Sequence, residues 1–360
     1  MKILLLITGL GMGGAEKVVT DLADALAAKG HEVLIAFLTG TAVVLPKNAS
    51  IKLINLGMVS KVDAVSAFFK LRRLIKEFQP DAVHSHMFHA NILARLVRLS
   101  IPIDRLISTM HSSNEGGKLR MLAYRMTDAL ADISTNVSEE AVESFIKAKA
   151  SSQGRIIAVH NGISTAEFSF NTDIRTRLRR DLLVDDNCQL ILAVGRLHEA
   201  KDYPNLLNAI ARISDNGIHY KLCIVGEGPL RGGLEALAIE LGLADRVQFL
   251  GTRHDVADIM CASDVFVLSS AWEGFGLVVA EAMACERIVV ATDCGGVREV
   301  VGKAGYLVKP KDAKALAQML ATALQLPALQ RASLGCDARM RVIDKFSLDA
   351  AVESWMRIYV

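Results

Sequence analysis

Residues 265–282 read Val-Phe-Val-Leu-Ser-Ser-Ala-Trp-Glu-Gly-Phe-Gly-Leu-Val-Val-Ala-Glu-Ala. The first four are uniformly apolar, three of them β-branched or aromatic, which predicts a short strand buried on both faces. Two glycines lead into a helix over 278–284. Strand, glycine loop and helix form half of a crossover unit, and such units build parallel sheets covered by helices on both sides.

The same alternation extends in both directions. In the second half, strands are predicted at 190–194, 221–225, 247–250, 288–291 and 306–308, with helices over 204–212, 230–241 and 313–324. In the first half, strands fall at 3–8, 32–38, 52–56, 82–85, 106–110, 132–136 and 155–160. Helical periodicity occupies 15–29, 62–78 and 90–99. The fold class is α/β, with two Rossmann-like doubly wound domains over 1–165 and 166–346. Residues 161–187, rich in Gly, Ser and Thr with a charged helix at 173–181, read as the linker. Sheets of this kind bind ligands outside the carboxyl ends of their strands, here in a central cleft that the two domains face.

A chain of 360 residues that is 51% hydrophobic and 22% charged supports two packed cores. A net charge of +2 does not suggest a nucleic-acid partner. Residues 1–165 carry 19 Lys+Arg against 14 Asp+Glu, and the remainder 22 against 25. All six cysteines lie in the second half without a C-x-x-C pair, and read as buried free thiols of a reducing cytoplasm. Residues 1–7 read as a first strand rather than a signal segment, and no apolar run approaches the roughly 20 residues of a membrane span.

Three loops concentrate the chemistry. Gly9-Leu10-Gly11-Met12-Gly13-Gly14 joins the first strand to a helix and exposes backbone N–H groups to an anion. It lacks the acidic ribose ligand of a dinucleotide site, since Leu38, Thr39 and Gly40 end the second strand. Gly195-Arg196-Leu197-His198-Glu199-Ala200-Lys201 places an Arg and a Lys past a strand end, where both reach one diphosphate. Glu273 and Glu281 bracket Gly274 and Gly276, pairing carboxylates for sugar hydroxyls with open amides for phosphate. His84, His86 and His89 superficially suggest a metal site, but no acidic cluster accompanies them.

Val194-Gly195-Arg196-Leu197 with Lys201, then Gly226-Glu227-Gly228-Pro229-Leu230-Arg231, then the E-x7-E run from Glu273 to Glu281, resemble the retaining GT-B glycosyltransferases of family 4, glycosyl transferases group 1, over essentially the full chain. The resemblance implies that Arg196 and Lys201 hold the donor diphosphate, Glu281 the ribose and Glu273 the donor sugar. The amides of Phe275, Gly276 and Leu277 help cradle the donor, Gly13 and Gly14 close on the diphosphate, and Arg253 meets the base. His111, in Thr109-Met110-His111-Ser112, resembles the family's active-site histidine, and His86 and His89 are placed on the acceptor side. Val159-His160-Asn161-Gly162-Ile163-Ser164 departs from the usual interdomain strand by lacking Pro before the Asn and Asp after the Ile. In this fold residues 347–360 form a helix that crosses back to the first domain.

The implied reaction takes a hexose or N-acetylhexosamine from a UDP-sugar, with no metal or cofactor, to a glycan acceptor such as an undecaprenyl-diphosphate-linked sugar. Basic and apolar residues mixed over 62–78 and 118–126 suit an anionic membrane surface, and hence a cytoplasmic protein held peripherally at the inner face of the plasma membrane during lipopolysaccharide or other polysaccharide synthesis. Competing readings are an epimerase of the same fold or a sugar-nucleotide binder without catalysis.

Overall fold

The computed structural model describes residues 1–113, 115–213 and 219–360. They form two compact units, Met1–Gly162 with Leu348–Val360, and Ile163–Ser347.

The first unit runs β1 (Lys2–Gly9), α1 (Gly14–Ala28), β2 (Glu32–Thr39), β3 (Lys52–Asn55), α2 (Ala64–Phe78), β4 (Ala82–His86), α3 (Phe88–Arg98), β5 (Leu106–Met110), α4 (Lys118–Thr127), β6 (Ile133–Asn136), α5 (Glu139–Lys147) and β7 (Ile156–Ala158). Its seven strands are all parallel, in the order β3-β2-β1-β4-β5-β6-β7. Strand β1 explains the unbroken apolar run. Ile3, Leu5 and Ile7 pack into the core beside α1, while Leu4 and Leu6 point to the opposite core beneath α2 and α3.

The second unit runs α6 (Thr172–Asp181), β8 (Gln189–Val194), α7 (Tyr203–Ile210), β9 (Tyr220–Val225), α8 (Arg231–Glu240), β10 (Val247–Gly251), α9 (Val256–Ala262), β11 (Val265–Leu268), α10 (Leu277–Ala284), β12 (Ile288–Thr292), α11 (Val297–Val301), β13 (Tyr306–Val308), α12 (Ala313–Leu324) and α13 (Ala328–Phe346). Its parallel sheet is ordered β10-β9-β8-β11-β12-β13. A last helix, α14 (Leu348–Tyr359), belongs to the first unit. Val352, Trp355 and Tyr359, spaced as one helix face, are buried in the core that α1 covers.

Two expectations need correction, and one helix was not foreseen. Residues 161–187 are not a linker: the units divide after Gly162, α6 is packed on α9, and its Arg175 and Arg179 bond to the buried Asp264 at 2.6 and 3.1 Å. The 19-residue α13 has no counterpart in the sequence reading, because only Gly335, Ala338, Val342 and Phe346 of it are buried. The glycine is there for contact: a Cβ at Gly335 would crowd the Glu286 carbonyl oxygen. The cysteines are free but not uniformly buried, since Cys188 is half-buried and Cys336 exposed. Among the described residues no helix is long and apolar enough to cross a membrane.

Candidate active site

In each sheet the strand order reverses direction at one point, and the loops leaving the two flanking strands splay apart there to open a crevice. In the second unit that point lies between β8 and β11. The loop after β8 carries Arg196 and Lys201, and the loop after β11 carries Glu273.

These two loops are stitched together. Lys201 Nζ lies 2.5 Å from Glu273 Oε1, which also accepts the Ser270 hydroxyl at 2.7 Å. Ser269 Oγ donates to the Lys201 carbonyl at 2.8 Å, and the Ala271 amide donates to the Ala200 carbonyl at 2.8 Å. Beneath them Tyr203 donates to the Gly195 carbonyl at 3.0 Å, its phenol pushed up by burial. Arg196 is exposed, and its guanidinium makes no hydrogen bond or ion pair with any described residue. One cation is thus held by a carboxylate and the other is open to a ligand.

Two more loops buttress the pair by backbone contact. The Leu197 amide donates to the Glu227 carbonyl at 2.9 Å, and Gly226, at φ +138°, leaves no room for a Cβ beside the Gly195 carbonyl. Gly295, at φ +56°, sits under the Glu273 carbonyl, while the Gly296 amide donates to the Gly274 carbonyl at 3.0 Å. Gly295→Ala is therefore expected to push the Glu273 loop outward. If that loop holds the donor as the resemblance implies, steady-state assays should show donor KM rising about tenfold or more, the equivalent of roughly 1.4 kcal/mol, with the fold kept.

The other residues expected on the donor side divide by exposure. Phe275 is buried, edge-on to Phe346 at 5.5 Å, so its ring anchors the loop and only its backbone is placed for a ligand. Gly276, at φ +88°, turns the chain into α10, whose first residue is Leu277. Glu281 is buried within α10 at 7% exposure. Arg253 follows β10, the edge strand, and is held two-pronged by Asp255 at 2.8 and 2.5 Å, which lowers the Asp255 carboxyl.

In the first unit the reversal lies between β1 and β4. Gly13 caps α1 and Gly14 is its first residue, both exposed after β1. The Glu16 carboxylate folds back against Gly13, and burial raises it. His111 follows β5 and is half-buried, and burial pushes its imidazole down to about 4. His89 is exposed on α3, edge-on to Phe88 at 5.2 Å. His86 departs from expectation. It ends β4 at 1% exposure, behind His111 rather than lining a surface, and bonds His111 Nε2 through Nδ1 at 3.2 Å. His84 is buried too, bonded to Tyr359 at 2.7 Å and Thr109 at 2.6 Å. Among the described residues no group of three or more His, Cys, Asp or Glu is arranged to hold a metal ion.

Sequence reasoning missed Ser270 and Glu115. Glu115 accepts the His111 backbone N–H at 2.9 Å and the Tyr124 hydroxyl, and burial raises its carboxyl. The signal for Ser270 was a pair of hydroxyls directly after an apolar strand. Nothing local marked Glu115.

Two family models match in succession, glycosyltransferase family 4 over residues 12–167 and glycosyl transferases group 1 over residues 174–340. The chain is a family 4 glycosyltransferase. Among relatives of this glycosyltransferase, the N-acetyl-alpha-D-glucosaminyl L-malate synthase of Bacillus anthracis is 26% identical over 97% of this chain and 94% of its own. The N-acetylgalactosamine-N,N'-diacetylbacillosaminyl-diphospho-undecaprenol 4-alpha-N-acetylgalactosaminyltransferase of Campylobacter jejuni is 28% identical over 96% and 97%. Among solved structures, Anabaena HepE in complex with UDP superposes with a TM-score of 0.87 over 99% of both chains at 22% identity. The glycosyltransferase therefore has the GT-B fold of two Rossmann-like domains.

Proposed function

We propose that this glycosyltransferase moves a hexose or N-acetylhexosamine from a UDP-sugar, with retention of configuration, onto a hydroxyl of a lipid-linked glycan in bacterial polysaccharide or lipopolysaccharide synthesis. The observation that carries the donor assignment is Arg196, without a partner among the described residues, beside the Lys201–Glu273–Ser270 cluster at the strand reversal. In this reading the bond from the anomeric carbon to the diphosphate oxygen breaks, and Arg196 and Lys201 take up the departing charge without a metal. The acceptor hydroxyl oxygen attacks from the same face and its proton leaves with the diphosphate. Glu273 and Glu281 accept hydrogen bonds from sugar and ribose hydroxyls, the amides of Phe275, Gly276 and Leu277 and those of Gly13 and Gly14 meet phosphate or sugar oxygens, and Arg253 meets the base. His111 is assigned a hydrogen bond to a substrate hydroxyl, and His89 the acceptor side.

UDP as the nucleotide is supported by the UDP complex of the HepE structure. Thermal unfolding tests it. UDP at a hundredfold excess over Kd should stabilise by about 2.7 kcal/mol, roughly 5–10 °C for a domain of this size. A larger rise with GDP would overturn the choice of base.

The lipid-linked acceptor is supported by the Campylobacter relative's name and by two exposed apolar ridges in the first unit. On α4, Leu119, Leu122 and Met126 lie on one helix face, with the exposed Lys118 and Arg125 along one side of it. Val65 and Phe69 do the same at the start of α2, with Lys76 farther along. Such a surface suits an anionic bilayer at the cytoplasmic face. Each ridge residue buried in lipid is worth about 1.5–3 kcal/mol. Leu119→Asp with Met126→Asp should therefore reduce co-flotation with phosphatidylglycerol-containing vesicles by about tenfold or more. Wild-type protein that does not float at low salt would remove the membrane from the account.

A further inference from the structure

His86 and His111 share a single hydrogen bond, between His86 Nδ1 and His111 Nε2 at 3.2 Å. Burial holds both imidazoles well below their usual range, so at pH 7 each is neutral and carries one N–H. One proton therefore lies between the two rings, and this ties their tautomers together. Either both rings are protonated on Nε2, or both on Nδ1.

The two pairs differ at the far side of His86. Its Nε2 is buried and has no hydrogen-bond partner among the described residues. The Nε2–H pair strands an N–H at that atom. The Nδ1–H pair strands only a lone pair there, and orphaned N–H groups are the rarer arrangement in protein interiors. In the Nδ1–H pair the His111 Nδ1–H is the one remaining donor, and no described residue bonds it.

The rings are also fixed in place. His84 lies against His86 at 4.0 Å between centroids and is held at both of its own nitrogens by Tyr359 and Thr109. On the other side Glu115 takes the His111 backbone N–H.

We infer that His86 is a positioning residue that holds His111 in the Nδ1–H tautomer, so that His111 meets a substrate hydroxyl as a hydrogen-bond donor rather than as a base. The substrate contact rests on the proposed function; the tautomer does not.

Two-bond proton–nitrogen spectra of histidine-labelled protein, with His111 assigned by its loss in His111→Gln, test the tautomer directly. The expected wild-type spectrum shows a protonated Nδ1 and a bare Nε2 at His111. In His86→Phe, His111 should revert to the Nε2–H form usual for a free imidazole. Turnover should fall about tenfold, the worth of one hydrogen bond, with donor KM within about twofold. In His86→Asn, whose amide N–H reaches the same nitrogen, the wild-type pattern and most of the turnover should return. A wild-type His111 protonated on Nε2 overturns the inference, even if His86→Phe fails to fold. A wild type without transferase activity but with Nδ1–H at His111 would count against the proposed function alone.

Discussion

Lys201→Ala is expected to slow sugar transfer about 10²–10³-fold, the usual loss when one pre-oriented group that stabilises developing charge is removed. The ammonium is not part of a core. Its side chain is 21% exposed at the carboxyl edge of the sheet, and its carbonyl, which anchors Ser269, survives the change. Glu273 keeps Ser270 as a donor. Circular dichroism should therefore show an intact fold while initial rates with the proposed UDP-sugar donor collapse. Lys201→Arg should recover only part of the rate, because a planar fork does not reproduce a compact point charge at 2.5 Å from Glu273. An unchanged rate in Lys201→Ala would remove the lysine from the reaction.

Asp264→Ala is expected to be the most damaging change to stability, at roughly 3–5 kcal/mol. Asp264 is 5% exposed and accepts from Arg175, Arg179 and the Leu190 amide, with Arg331 3.5 Å away. Removing it leaves several cations and a buried amide without their common acceptor. In a 185-residue unit the melting temperature should fall by roughly 6–20 °C. Asp258→Ala is the control. Its partner Arg177 is 62% exposed at 3.4 Å, so that pair should contribute about 0–1 kcal/mol. Equal effects from the two changes would mean that α6 is the loose connection its composition suggests.

That contrast marks where the sequence is legible. Parallel strands buried on both faces produce unbroken apolar runs, so β1, β8, β11 and their neighbours stand out. The glycine loops after them are visible because only glycine tolerates backbone lying on backbone, as Gly226 lies on Gly195 and Gly295 on Glu273. The attachment of α6 is invisible to hydropathy because arginines and one aspartate make it. The helix α13 is hidden because its contact face is narrow and includes a glycine. His86 shows the same limit at the site. A histidine at a strand end reads equally as a ligand contact or as a buried partner, and only the structure reveals the Nδ1 bond to His111. Glu115 reaches His111 by a loop whose course no local pattern announces.

The donor assignment rests on the loops after β8, β9 and β11, and hydrogen–deuterium exchange with and without saturating UDP tests them together. Slowed exchange over residues 195–201, 226–231 and 273–281 is the predicted result. Protection confined to other segments, or none at these three with UDP demonstrably bound, would contradict the account.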